Sequence, residues 1–395
     1  MDLDFLVILH RIYMNGKRKE GGVDIIIEHL IQQNNRVGAL EFQLGGKYIQ
    51  DTEFERNNTY SVLRGFENGG EFLIREFNVY PKAEPARWIA EVLYAVFMVF
   101  AHVRGRIPFC IASDPLNTFS AWILRLSGKV RKIYFHSVDY SDRRFKNRLL
   151  DDIYHFLYRF AVGRADLVGV VSSRMMQKCL ELGIDKDKLI FVPNTPDFDK
   201  IPRLDISKRE LFTLVVSSAS VVKKYRFEYI VDTVSKLKKE FPGIKLKILG
   251  DTGINKDYFE KLKKKIAENG LEENIRFLGY LPKERNLAEI ASSTIGIALY
   301  SEDTHYYMYY ADPLKIREYA ACGVPIITDN TTTGGSEAVD NGAGFVCNKA
   351  EEIADAIGKL WNRKELYEEY CLNAIKWAKK FEKKTILKHL FQRLG

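Results

Sequence analysis

The segment Tyr310-Ala-Asp-Pro-Leu-Lys-Ile-Arg-Glu-Tyr-Ala-Ala-Cys-Gly-Val-Pro-Ile-Ile-Thr328 packs a loop, a helix, a tight turn and a buried strand into nineteen residues. Asp312 suits a helix N-cap, where a side-chain oxygen accepts a backbone N–H, and Pro313 suits the first helical position, where its missing N–H costs nothing. Gly323 suits the C′ position, and Val324-Pro-Ile-Ile-Thr328 starts a short apolar strand. Such a unit belongs to an α/β protein. A helix opening beside a strand end is where that class holds anionic ligands, because the first helical N–H groups lack partners. Lys315 and Glu318 stand three residues apart, so one helix face carries both signs. A carboxylate there can accept two ribose hydroxyls, and a lysine can meet a diphosphate. The plain alternative is a capped helix with an i,i+3 ion pair, worth only about 0.2–0.5 kcal/mol.

The rest of the chain alternates strands and helices in the same way. Residues 3–9 are apolar, and Gly21-Gly22-Val23 leads into a helical pattern ending near Gln33. Residues 36–44, 71–79, 107–112, 132–136 and 167–172 read as strands, and 142–162 as a helix. Residues 45–70, rich in Gly and Asn, read as a loop. Three prolines between Val192 and Pro202 mark a break. Strand patterns resume at 211–217, 245–249, 275–278, 295–299 and 325–328, with helices at 226–240 and 257–269 and only helix after Lys349. This predicts two domains of βαβ units, each with a parallel sheet. The expected boundaries are 1–195, a linker over 196–210, a second domain over 211–378, and a C-terminal helix over 379–395 that returns to the first domain or stands alone.

A length of 395 residues exceeds one ordinary core. Hydrophobic content of 46% with 28% charged residues is that of a soluble globular chain. The five cysteines form no Cys-x-x-Cys pair, which argues against a disulfide framework or structural zinc and for a reducing compartment. No basic leader precedes the first strand, so a cytoplasmic location is expected. The longest apolar run, Trp88 to Val103, is interrupted by Glu91 and His102 and is short for a membrane span. Its flanking Arg87, Arg104 and Arg106 allow two readings: a mostly buried helix, or a helix lying on an anionic bilayer at the inner face of the membrane. The net charge of +8 suits anionic ligands or surfaces, but no zinc-finger spacing or RNA-binding motif points to nucleic acid.

The Pro313-Leu314-Lys315-Ile-Arg-Glu318-Tyr-Ala-Ala-Cys-Gly-Val-Pro325 run resembles the donor-binding helix of the retaining, family 4-like glycosyltransferases of GT-B fold (glycosyl transferases group 1). Further segments carry the resemblance: Ala165-Asp-Leu-Val-Gly-Val-Val-Ser-Ser173, Ile190-Phe-Val-Pro-Asn-Thr-Pro-Asp197, Phe277-Leu-Gly-Tyr-Leu-Pro282, Thr328-Asp-Asn-Thr-Thr-Thr-Gly-Gly-Ser-Glu337 and Gly342-Ala-Gly-Phe-Val346. The resemblance implies two facing Rossmann-like domains with a cleft between them. In the C-terminal domain Glu318 would hold the ribose, Lys224 and Lys315 the diphosphate, and Gly279 and Tyr280 the base through their backbone. Gly334 and Gly335 would offer amides to the diphosphate, with Asp312 and Leu314 beside them. In the N-terminal domain the resemblance places His136 and Asp139 near the donor sugar and Gly21 and Gly22 near a phosphate or the acceptor.

Two positions depart from the family pattern. Ser217-Ser-Ala-Ser-Val-Val-Lys-Lys224 stands where the family has Gly-Arg-Leu-x-x-x-Lys, so Ala219 replaces the usual arginine. Lys223, Arg226, or the hydroxyls of Ser218 and Ser220 are the available substitutes. The family's first glutamate falls at Tyr310, and the loop Thr304-His-Tyr-Tyr-Met-Tyr-Tyr310 before it offers rings either to a sugar face or as a hydrophobic cover.

The implied activity is transfer of a sugar, as by a hexosyltransferase, from a nucleotide-diphosphate-sugar to a glycan or lipid-linked hydroxyl. The resemblance implies retention of configuration; no cofactor is expected, and no metal is required, since lysines and helix N-termini can stabilise a departing diphosphate. Two alternatives stay open: a non-catalytic or partner-activated GT-B protein, motivated by Ala219 and Tyr310, and a nucleotide-sugar epimerase on the same scaffold.

Overall fold

The computed structural model describes residues 1–14, 17–18, 22–50, 53–56, 60–81, 84–301 and 305–395, with only the backbone described for 12–14, 17–18, 44–50, 53–56, 60 and 305–306. The chain divides into two units. The first comprises 1–49, 54–193 and 386–395, and the second 50–53 and 194–385.

The first unit is built on a sheet whose strands run in the order Leu189–Phe191, Leu167–Val170, Val130–Ser137, Ile107–Ala112, Phe5–Met14, Val37–Gln50, Tyr60–Glu67 and Gly70–Asn78. The first six pair parallel and the last two antiparallel. The parallel strands carry short apolar runs: Leu6, Val7, Ile8, Ile111 and Phe135 have no exposed surface. Such near-continuous runs follow from burial on both faces.

The antiparallel edge corrects the loop expected over 45–70. Asn68 and Gly69 hold positive φ of 50° and 76°, and Glu67 pairs with Gly70 across them. That is a two-residue hairpin turn whose left-handed residues match the twist of the strands.

The second unit carries six parallel strands in the order Ile275–Gly279, Lys245–Asp251, Thr213–Ser220, Ile295–Ala298, Ile326–Thr328 and Gly344–Val346. Helices cover both of its faces. Phe227, Ile230, Val231 and Val234 of helix Phe227–Leu237 pack on one, and Ile316, Tyr319 and Ala320 of helix Leu314–Ala321 on the other.

Residues 196–210, expected as a linker, belong to the second unit. Ile201 joins its core, and the buried Arg209 guanidinium donates to the Gly323 carbonyl at 2.9 Å and the Tyr367 hydroxyl at 3.1 Å. The C-terminal helix Lys383–Leu394 places Leu387, Leu390 and Leu394 among core residues of the first unit, with Phe5, Ile26 and Leu30. Among the described residues no helix is long and apolar enough to cross a membrane.

Candidate functional site

In the second sheet the strand order reverses between Thr213–Ser220 and Ile295–Ala298. Such a reversal opens a crevice at the carboxyl ends of the strands, where open α/β sheets bind ligands. Two loops leave the sheet there. Lys224 and Tyr225 follow the first strand, and Tyr300 follows the second. The Ser301 amide donates to the Lys224 carbonyl at 2.8 Å and ties the loops together.

Helix Leu314–Ala321 is locked over the same crevice by Tyr319. Its hydroxyl accepts the Ser217 amide at 2.7 Å and donates to the Ile297 carbonyl at 3.3 Å, so it bonds both switch strands. Gly296 has no alternative here, because a Cβ would sit 2.6 Å from the Tyr319 ring. The helix ends at Gly323, whose φ of +74° suits glycine, with the Gly323 and Val324 amides donating back to Ala320 and Tyr319.

This anchoring brings Lys315 to the crevice. Its ammonium group lies 4.1 Å from the centre of the Tyr225 ring and 5.6 Å from that of Tyr300. Lys224 approaches Tyr225 from its own loop, at 5.0 Å. Burial holds the Lys315 pKa below the usual lysine range. Lys224 pushes the same way, while Tyr225 and Glu318 pull it back up. Glu318, one turn along, is half-buried. Burial raises its pKa against the pull of Lys283 and Lys315. Among the described residues its carboxylate has no hydrogen-bond or ion-pair partner. The arrangement gives two ammonium groups converging on aromatic rings, with a desolvated acceptor beside them. It can neutralise a polyanion and accept hydroxyl protons.

Asp312 does not take the expected place. The helix begins at Leu314 with Pro313 as its N-cap, and no side chain caps it. Asp312 turns inward, forms an ion pair with the buried Arg317, and accepts the Asn194 amide at 2.7 Å. Burial raises its pKa, and Arg317 and Asn194 oppose the rise. A guanidinium sealed in the interior needs a counter-charge, and this need outweighs capping of one helix end.

The remaining expected donor residues fall into two groups. Leu314 opens the helix half-buried, and Gly279, at φ +69°, ends its strand next to the exposed Tyr280. Ser218, Gly334 and Gly335 are engaged within the fold. The Ser218 hydroxyl reaches the carbonyls of Ser220 and Leu249, at 3.0 and 3.1 Å. Gly335 gives its amide to the Thr332 hydroxyl, and a Cβ there would meet Thr328 Oγ1 at 2.7 Å. A Cβ on Gly334 would lie 3.1 Å from Asp312. These glycines permit close packing. In the tyrosine-rich loop, Met308 and Tyr310 are buried, while Thr304 lies outside the described residues.

In the first unit, His136 ends strand Val130–Ser137 but is only 1% exposed. Its Nδ1 lies 2.9 Å from the Tyr134 hydroxyl, and burial pushes its pKa down to about 4, so it is neutral. Asp139 is half-buried and paired with Arg144. Gly22 precedes helix Asp24–Gln32, and Gly21 lies outside the described residues.

A group absent from the expectations occupies this unit's own strand reversal, between Phe5–Met14 and Ile107–Ala112. His10 contacts Asp114 through Nδ1 at 2.5 Å and Glu91 through Nε2 at 3.1 Å. Burial alone would lower its pKa, but the two carboxylates raise it to about 9. Nothing in the spacing of 10, 91 and 114 signals this; only the sheet order brings them together. Tyr225 and Tyr300 were also missed, although both lie in the loops after the two switch strands. Among the described residues no cluster of three or more His, Cys, Asp or Glu could hold a metal ion.

The two sheets with their helices define the class: the chain has the GT-B fold. HepE from Anabaena, solved in complex with UDP, superposes with a TM-score of 0.69 at 15% identity, over 99% of each chain. A glycosyltransferase from Rickettsia africae gives 0.69 at 16% identity, over 100% of this chain and 98% of that one. S. aureus TarM, solved with UDP and α-GlcNAc-glycerol, gives 0.60 at 14% identity, over 88% and 73%.

In sequence, residues 200–377 match the family described as Glycosyl transferases group 1. A poly(glycerol-phosphate) α-glucosyltransferase of Bacillus subtilis is 23% identical over 299 residues, 74% of this chain. The matched part spans 40% of that relative's length.

Proposed function

We propose that this chain is a glycosyltransferase that takes a sugar from a nucleoside-diphosphate sugar held in its second unit. The observation that carries the reading is the approach of Lys315 and Lys224 to one Tyr225 ring, at 4.1 and 5.0 Å, with the unpartnered Glu318 carboxylate one turn away. A diphosphate between the two ammonium groups removes their mutual repulsion. Ribose hydroxyls give Glu318 the donors it lacks, since a desolvated carboxylate is costly until it is hydrogen-bonded. The site lies at the strand reversal and inside the segment that matches the group 1 family, 200–377. Structural neighbours solved with UDP support a uridine nucleotide as the first donor to try.

In the proposed reaction the bond from the anomeric carbon to the diphosphate oxygen breaks. The acceptor oxygen bonds to the same face of that carbon, with retention, and its proton passes to the departing diphosphate. Lys224 and Lys315 stabilise the charge that develops on the diphosphate, so the scheme needs no metal. Asp139, half-buried beside Arg144, is the first-unit group proposed for the sugar or acceptor. The buried His136 is proposed beside the donor sugar as well. The acceptor is a glycan or a lipid-linked hydroxyl.

Transfer and donor-hydrolysis assays on Glu318→Ala and Lys224→Ala test the reading. It expects loss of turnover in both with the fold retained, and unchanged turnover in both contradicts it. Donor binding without transfer to any of a broad acceptor panel would favour the non-catalytic alternative. Conversion of the donor sugar without acceptor would favour the epimerase.

A further inference from the structure

Helix Ala86–His102 in the first unit is inverted with respect to water. Its only Asp, Glu, Lys or Arg residues, Arg87 and Glu91, are each 1% exposed. They face inward, with Arg87 Nε donating to Glu91 at 2.8 Å and Glu91 reaching His10 at 3.1 Å. The outward stripe is Ile89, Leu93, Phe97 and Phe100, each between 50% and 64% exposed. The spacing of four, four and three keeps them on one face over nearly the whole helix. The buried charges fix the helix's rotation, because turning it outward would strip Glu91 from His10. A contiguous apolar stripe of this kind marks an interaction surface.

Both ends of the stripe are basic. At the C-terminal end Arg104 and Arg106 are exposed, and the Lys129 ammonium lies 5.7 Å from the centre of the Phe100 ring. At the N-terminal end the half-buried Trp88 meets Phe145, with ring centroids 5.5 Å apart. Phe145 sits in Arg143-Arg-Phe-Lys-Asn-Arg148, whose four cations are exposed and which holds no acid. The acids flanking that run are engaged: Asp139 pairs with Arg144, Asp142 with Lys178, and Asp151 accepts the Arg144 and Phe145 amides, while Lys146 also has a partner.

We propose that this face docks on an anionic lipid bilayer, with the stripe entering the headgroup region and the cations meeting lipid phosphates. A helix with its apolar side outward and basic residues at both ends matches that surface in polarity and in charge. A second copy of the chain is a poorer occupant. With both ends basic, pairing the stripe with itself sets like charges together in either helix orientation. The proposal is independent of the donor site, which lies in the other unit.

Co-sedimentation of the whole protein with phosphatidylcholine vesicles, with and without phosphatidylglycerol, tests it alongside sedimentation equilibrium without lipid. The proposal expects binding to the anionic vesicles, weak binding to neutral ones, and weakening at high salt. Leu93→Asp/Phe97→Asp is expected to reduce vesicle binding at least about tenfold, with unchanged melting temperature and unchanged nucleotide binding. Arg104→Ser/Arg106→Ser should weaken binding to anionic vesicles only. No binding by the wild type overturns the proposal, as does retained binding by the aspartate variant. A dimer that the aspartate variant dissolves, with no lipid binding, assigns the face to a second copy and equally overturns it.

Discussion

The Lys315 ammonium group lies 4.1 Å from the centre of the Tyr225 ring, at the point where the second sheet reverses its strand order. The lysine comes from the helix at 314–321 and the tyrosine from the loop after the strand at 213–220. Their meeting depends on Tyr319, which bonds both switch strands. The ring attracts the cation electrostatically and holds it desolvated before any anion arrives.

Lys315→Met should therefore leave the fold intact and weaken nucleoside-diphosphate binding on the order of 10- to 100-fold, the loss expected for one charge-assisted hydrogen bond. Lys224→Met should act in the same direction. The affinity for a free nucleoside, which lacks phosphates, should change little in either variant. Calorimetric titration of diphosphate and nucleoside checks both statements.

Glu318 separates binding from stability. Its carboxylate is half-buried without a partner among the described residues and its pKa is raised by burial, so the free protein carries an unsatisfied group. Glu318→Gln is expected to raise the melting temperature while lowering nucleotide affinity. Retained affinity together with a fall in melting temperature would make Glu318 a structural residue. As the folded pKa lies above the unfolded value, the ionised carboxylate is disfavoured in the fold. Wild-type stability should thus decline as pH rises through the carboxylate range, and the glutamine variant should lose that decline.

Asp312→Ala should be far more damaging to the fold. Arg317 would remain buried with only the longer contact to Glu337, at 3.9 Å, to offset its charge, a loss of about 3 kcal/mol. Denaturant unfolding of the variant measures it. Asp312→Ala with Arg317→Met together should recover much of the loss, because the orphaned charge is then gone.

Two histidines should give opposite pH slopes of stability. His10 titrates near 9 in the fold, against about 6.5 when unfolded. The folded state holds the extra proton between those values, so its contribution is full below 6.5 and is lost as pH rises toward 9. His136 titrates near 4 in the fold, so the unfolded state binds the extra proton between 4 and 6.5. Stability from that site falls as pH drops through this window. His10→Gln should remove the alkaline decline and His136→Gln the acidic one, as read by melting temperature against pH.

The parallel strands were legible because burial on both faces leaves short, uninterrupted apolar runs. Leu6 to Leu9 form one in the first sheet, and in the second the fully buried Leu214 pairs with Ile295. The antiparallel edge was only half legible: 71–79 read as a strand, but Gly65 interrupts its partner at 60–67, and the signal for the pairing was Asn68-Gly69 in the hairpin turn. In the proposed site, Lys315 and Glu318 could be read from local spacing, since one helix carries them, and Lys224 came from the family resemblance. Asp312 could not. Its choice between capping and pairing with Arg317 depends on how deeply the arginine is buried, which is a property of the packed core. The His10–Asp114–Glu91 group was invisible for the same reason, as sheet order and not spacing assembles it.

The central claim is that Lys224, Lys315 and Glu318 form a nucleoside-diphosphate site. Calorimetric titration of UDP, GDP and ADP into the whole protein, and into Lys315→Met and Glu318→Gln, tests it most directly. The wild type should bind at least one diphosphate saturably, with a marked loss in both variants. Binding of none of the three, or equal binding by all three proteins, would contradict it.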